Sequence, residues 1–296
     1  MYQQHRNQIF EDYHRARDFF CANPDILIEL ERYTSGLCHN LLADHYGEFA
    51  ADYDEASYLH PFWANYPPEN RGRSPVGDQI PWIEVGEHAI GHKLNRILAQ
   101  DHRIREIGIP SGADNRFVLE SEDISRITCG FTNSVMVFLD IKSVGPRDDF
   151  EHTVISPYQV SGNGLWEDPR DSMSNTPMRA NGAKASHPFY PAITPIYVLS
   201  DGTVAPTIHI FVKPVYQMLN LENPTHTGQP LRHIRVICVP NGLLLTVYPN
   251  YLNSSPNLFF PGKDDHTKPP AKVRCRVSFD ILSRIAPWRV VQVNAH

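Results

Sequence analysis

A mixed α/β fold, a central β-sheet flanked by helices, is what this sequence predicts. Three observations carry that reading. Apolar residues recur at helical spacing through the first fifty residues and again over 82–100. Ser134–Lys142 forms an apolar run suited to a strand covered on both faces. Further strand patterns then follow to the end of the chain, without a repeat or a clean linker.

Taken in order, Asn23-Pro24 reads as a helix start, an N-cap residue followed by proline at the first helical position. Ile26, Leu27, Leu30 and Tyr33 mark its inner face, and Gly36 is expected to end it. A further helix is expected through Leu41, Leu42 and Phe49, then an ordered loop rich in proline and glycine from Leu59 to Pro81. Trp82 to Gln100 predicts a strong helix with Trp82, Val85, Ala89, Ile90, Leu94, Ile97 and Leu98 on its buried stripe. Strands are expected at Arg103–Ile109, Arg116–Leu119 and Ser134–Lys142. Gln159–Pro191 is long, polar and without clear element signals, a length usually tied to function. Strands resume at Ile196–Leu199, Thr207–Val212, His233–Val239 and Leu243–Tyr248, with Asn241-Gly242 read as a hairpin turn. Lys272–Val277 predicts a strand, Ser278–Ile285 a short helix and Arg289–Val293 a last strand.

At 296 residues, with 41% hydrophobic and 20% charged side chains, the composition is that of a folded globular protein. No apolar run is long enough to span a bilayer, and the charged N-terminus lacks a signal core, so a cytoplasmic protein is expected. Five scattered cysteines without a CxxC pair suggest neither a disulfide framework nor a structural zinc site. The net charge of -6 is unlike a typical DNA-binding module, but its distribution is uneven. From Lys263 onward basic residues outnumber acidic ones, while the first sixty residues are acidic.

The sharpest chemical feature is Asp140-Ile141-Lys142 at the end of the apolar strand. Strand alternation puts Asp140 and Lys142 on one face, roughly 7 Å apart along the backbone. Asp114 stands in the turn Pro110-Ser-Gly-Ala-Asp114 between two expected strands, where a hairpin could bring it beside Asp140. Carboxylates of this kind hold Mg²⁺, a hard ion, and a neighbouring lysine can stabilise charge building on a phosphate. Glu87 is a further candidate on the preceding helix, with Glu84 its competitor. His88 and His92 are four apart but lack the HExxH pattern, and the Asn253-Ser254-Ser255 sequon carries no weight without a secretory signal.

Longer stretches enclose these residues. They are His60-Pro-Phe-Trp63 with Asn65-Tyr-Pro-Pro68, Gly77-Asp-Gln-Ile-Pro-Trp-Ile-Glu-Val-Gly-Glu87, Asp140-Ile-Lys-Ser-Val-Gly-Pro-Arg-Asp148 and Gln159-Val-Ser-Gly-Asn-Gly164. Leu199-Ser-Asp-Gly-Thr203, Val239-Pro-Asn-Gly-Leu243 and Pro261-Gly-Lys-Asp-Asp265 continue the series. In these stretches the chain resembles a type II restriction endonuclease family of the broad PD-(D/E)xK class, along nearly its whole length. The resemblance implies the PD-(D/E)xK fold as a single domain over residues 1–296. Its catalytic core would span about 80–215, with base-recognition elements mainly over about 230–296.

It further implies a Mg²⁺-dependent homodimer that cuts both strands of double-stranded DNA at the interrupted palindrome GCCNNNNNGGC, leaving 3′ overhangs. A cognate DNA methyltransferase would protect the host's own sites. By position, Asp114, Asp140 and Lys142 are the implied catalytic set, with Glu87 in support and Asp114, Asp140 and Ile141 around the metal. One departure is visible: Pro110 stands four residues before Asp114 rather than next to it. Lys263, Asp265, Arg274, Arg276 and Asp148 are the implied base readers, with Arg73 a further DNA contact. A G·C-rich half-site calls for such residues, because Arg or Lys pairs with guanine O6/N7 and a carboxylate accepts from cytosine N4. Two other readings stand beside this one: a DNA-binding protein of the same fold without catalysis, and a zinc hydrolase built on His88 and His92.

Overall fold

In the computed structural model the described residues are 2–65, 90–107, 115–142, 150–155, 178–179, 188–189, 195–217, 219–220, 227–265 and 272–294. Three long helices open the chain: α1 (Tyr2–Ala22), α2 (Pro24–Asp44) and α3 (Tyr46–Asn65). Asn23 is the N-cap of α2 with Pro24 in its first turn, as expected. Gly36 does not end that helix. An internal glycine costs about 1 kcal/mol relative to alanine, and burying Leu42 in the same helix outweighs that cost. α3 runs to Asn65 through the start of the expected loop. Of the expected helix over 82–100, α4 (Gly91–Leu98) is described, and Ile90, Leu94 and Leu98 are buried.

The strands are β1 (Ile104–Glu106), β2 (Asn115–Glu120) and, after the short α5 (Glu122–Ile127), β3 (Ser134–Ile141). β4 (His152–Ile155), the two-residue pair β5 (Met178–Arg179) and β6 (Pro188–Phe189), β7 (Ile196–Val198) and β8 (Val204–Tyr216) follow. A second short pair, β9 (Leu219–Asn220) and β10 (Thr227–Gly228), precedes β11 (Leu231–Val239). The chain closes with α6 (Gly242–Thr246), α7 (Tyr251–Ser254), β12 (Phe259–Asp265), β13 (Lys272–Ser278), α8 (Phe279–Ile285), a 3₁₀ turn at Pro287–Arg289 and β14 (Val290–Val293).

The main sheet has the order β1-β2-β3-β8-β11-β14, with β7 also paired to β8. β3 and β8 run parallel, whereas β2 with β3, β8 with β11 and β11 with β14 run antiparallel. The sheet is therefore mixed and has helices on it, as the sequence predicts.

Alternation along β3 separates two layers. Val135, Val137, Leu139 and Ile141 pack with Leu27, Leu30, Leu42, Phe49 and Leu94 of the helices. Met136 and Phe138 turn to the other face. On that face Phe211, Ile237 and Val239 meet Val277, Phe279 and Leu282 of a second sheet, β12-β13-β4, and of α8.

Two connections tie distant segments together. Asn241 does not make a hairpin turn; it caps α6, and its side chain accepts from the Leu243 N–H at 2.9 Å. Its amide donates to the carbonyls of Pro195 (2.8 Å) and Thr207 (2.9 Å). Leu243, Leu244 and Leu245 are all buried, and a short, continuously apolar run fits helix and strand equally well. The second connection is Glu31 of α2 with Arg289 after α8, 2.6 Å apart and both fully buried. Burial pushes the Glu31 carboxyl above its ordinary range, against the pull of Arg289.

Candidate active site

β3 is the spine of the site. All eight of its residues are buried, which explains its unbroken apolar pattern and makes the carboxylate at its end conspicuous. Asp140 is fully buried, and its Oδ2 lies 2.6 Å from the Lys142 Nζ, whose side chain is a quarter exposed. The same-face pair expected from strand alternation therefore forms a direct ion pair.

β8 fixes this pair in place. Asp140 is in register with Phe211 and Ile141 with Val212, and the Lys142 N–H donates to the Val212 carbonyl at 2.9 Å. A trans peptide points its carbonyl opposite to its N–H. The Ile141 carbonyl, in the same peptide unit, therefore points away from β8, toward the β2 side. There Asn115, the residue after Asp114 in the sequence, is in register with Leu139, the residue before Asp140.

A carboxylate and a backbone carbonyl are hard oxygen donors, the kind a Mg²⁺-like cation takes. The two residues described here fit such an ion. Among the described residues no group of three His, Cys, Asp or Glu could hold a metal, and Asp114 and Glu87 lie outside them. His92 is exposed on α4, while His88 is outside the described residues.

The face carrying Asp140 is joined directly to the second sheet. Phe211, opposite Asp140, packs with Val277 and Phe279. Lys213, two residues on, is 3% exposed, sits 5.0 Å from the centre of the Phe279 ring and donates from Nζ to the His152 carbonyl of β4. Arg235 of β11, in register with Lys213, donates to the Phe150 carbonyl at 2.7 Å and pairs with Glu151 at 3.3 Å. Lys213 and Arg235 were not among the residues the sequence singled out. A lysine within the apolar run of β8 is the signal that marks Lys213.

The expected base-reading residues fall mainly on this second sheet. Lys263 and Asp265 lie on β12, and Arg274 and Arg276 lie on β13. Val277, of opposite parity, is in the core. Arg276 is partly exposed and in register with Val154 of β4. β12 carries one extra residue between Pro261 and Asp264 relative to β13, a bulge that includes Lys263. Asp148 and Arg73 lie outside the described residues.

A family model described as restriction endonuclease BglI matches residues 8–293. The chain belongs to the BglI restriction endonuclease family. It is 47% identical to the type II restriction enzyme BglI of Bacillus subtilis, over 99% of both chains. Its structure is similar to the crystal structure of restriction endonuclease BglI bound to its DNA recognition sequence, with a TM-score of 0.83 over 99% of each chain. A more distant likeness is to the tetrameric restriction endonuclease SfiI bound to cognate DNA. That match has a TM-score of 0.54 at 16% identity, over 92% of this chain and 86% of that one, and shows shared fold alone. The α/β fold expected from the sequence is thus that of the BglI family. Among the described residues no helix is long and apolar enough to cross a membrane.

Proposed function

We propose that this chain is a type II site-specific deoxyribonuclease that cuts both strands of GCCNNNNNGGC and leaves 3′ overhangs. It works as a homodimer with Mg²⁺, in the cytoplasm, within a restriction-modification system whose DNA methyltransferase protects host sites. The observation that carries this is the Asp140–Lys142 pair at the end of β3, in a chain 47% identical to BglI along its length.

In this reading Asp140, the Ile141 carbonyl and Asp114 hold the cation, with Glu87 in support. The register of Asn115 with Leu139 supports Asp114, since one residue further along the ladder stands Asp140. Bound Mg²⁺ would polarise the scissile phosphate and lower the pKa of a bound water. Lys142, held by its partner and by β8, presents a positive charge where negative charge gathers on the phosphate. Burial of Asp140 keeps bulk water from competing for its oxygens.

Residues over about 80–215 would form the catalytic part of a single domain, and those over about 230–296 mainly the reading part. Lys263, Arg274 and Arg276 are the guanine readers, Asp265 and Asp148 accept from cytosine, and Arg73 adds a further contact. A palindrome read one half-site per chain matches a two-fold dimer. Retention of Asp114, Asp140 and Lys142 together argues against a binding protein without catalysis.

The test is Asp140→Asn, which keeps the shape and removes the charge. Mg²⁺-dependent cleavage of a plasmid with one target should fall at least about 10²–10³-fold. Specific binding of the duplex by gel shift should persist. Cleavage at the wild-type rate would show that the centre lies elsewhere.

A further inference from the structure

A groove of about 600 Å³ opens between the residues leading into β4 and the ends of β11 and β14. Arg232, His233, Arg235, Glu151, Gln292 and Asn294 line it. Two guanidinium groups face one carboxylate there, so the groove is electropositive. Arg232 is exposed and makes no ion pair among the described residues. Arg235 is held in place by Phe150 and Glu151.

His233 is the unusual member. It is only 8% exposed, and among the described residues its Nε2 is buried without a hydrogen-bond partner. Buried polar atoms of this kind normally have a partner, and one on a groove wall points to a ligand. Burial, with Arg235 and Arg232 nearby, lowers the His233 pKa to about 4, so the ring is neutral near pH 7 and can donate one N–H.

The groove lies at the level of the catalytic lysine. Lys213, following Phe211 and Val212 in the ladder with Asp140 and Ile141, stands beside Lys142, and Arg235 is in register with Lys213. Adjacent strands are about 4.8 Å apart, so β11 lies roughly 10 Å from β3. A duplex on Lys142 would pass within reach of this groove.

The geometry points to a phosphate site made by Arg232, His233 and Arg235, which takes a backbone phosphodiester of the DNA beside the one that is cut. Arg232 supplies the unengaged charge, Arg235 the fixed one and His233 the buried donor. Glu151 limits the total charge, which favours a singly charged phosphodiester over a free phosphate dianion. The inference rests on the endonuclease reading above.

Binding of target and non-target duplexes, measured by fluorescence anisotropy without Mg²⁺ over a range of salt, tests it. The slope of log affinity against log salt should become shallower by about 0.9 in Arg232→Ala, with the target-to-non-target ratio unchanged. His233→Ala should weaken both duplexes alike, and Arg232→Lys should keep the wild-type slope. The His233 ring resonances in NMR should titrate at higher pH when duplex is bound. An unchanged slope in Arg232→Ala, with wild type binding normally, overturns the inference. So does a His233 titration that moves with inorganic phosphate but not with duplex. A wild type that binds no duplex at all overturns the endonuclease reading instead.

Discussion

Glu31 and Arg289 stand 258 residues apart in the chain and meet 2.6 Å apart with no solvent exposure on either side chain. Their surroundings complete the contact. The Asn241 backbone N–H donates to Glu31 and Arg289 Nη1 to the Cys238 carbonyl at 3.4 Å. The guanidinium lies 4.4 Å from the Trp288 ring centre. α2 is thereby fastened to the end of β11 and to the turn before β14.

Removing one partner leaves a buried charge without compensation. Glu31→Gln and Arg289→Met should each lower unfolding stability by about 3–5 kcal/mol in urea denaturation. The double variant Glu31→Met/Arg289→Met should recover much of that loss, because apolar groups of similar size need no partner. Single variants within about 0.5 kcal/mol of wild type, the ordinary range for a surface change, would contradict the assignment.

Asn241 and Ser121 separate a cap from a junction. Ser121 Oγ accepts from the N–H groups of Asp123 and Ile124 at the start of α5, so Ser121→Ala should cost about 1 kcal/mol. Asn241→Ala loses a cap and also strips donors from the buried carbonyls of Pro195 and Thr207, and should cost about 3 kcal/mol. Equal losses, read from denaturation midpoints with unchanged slopes, would mean that the Asn241 amide contributes nothing beyond its cap.

Arg276 tests base reading. Arg276→Ala should weaken binding of the proposed target GCCNNNNNGGC by about 1–3 kcal/mol per contacted base, roughly 5- to 150-fold. It should also narrow the gap to a site with one altered G·C pair. Competition binding with the two duplexes measures both. A uniform loss that leaves the gap unchanged would make Arg276 a phosphate contact instead.

The parts of the molecule readable from sequence are those where local pattern and final environment agree. β3 is buried on both faces and carries no polar residue between Ser134 and Asp140, so the strand and the Asp140–Lys142 pair, the proposed cutting centre, could both be placed. Leu243–Tyr248 opens as helix rather than strand because three buried leucines have no periodicity, and the Asn241 cap on the Leu243 N–H decides for helix. β12 lacks a strand signal of its own because proline and glycine, here Pro261 and Gly262, are depleted in strands, whereas pairing with β13 through a bulge makes it a strand. Arg235 and His233 sat within a recognised strand, but their facing partners near β4 come from far away in the chain. Glu31 is one acid among many in a helix until Arg289 arrives.

The position of Asp140 at the end of a strand paired on both edges has a consequence for the safety of the cell. The Lys142 N–H is bonded to β8, and β3 is covered by helices on one side and by further core on the other. Such a strand opens only with the whole core, not by local fraying. On the proposed assignment, a newly made or partly unfolded chain thus has no assembled cutting centre. On that assignment an unfinished molecule cannot nick the chromosome, and the capacity for damage arises only when the core has closed.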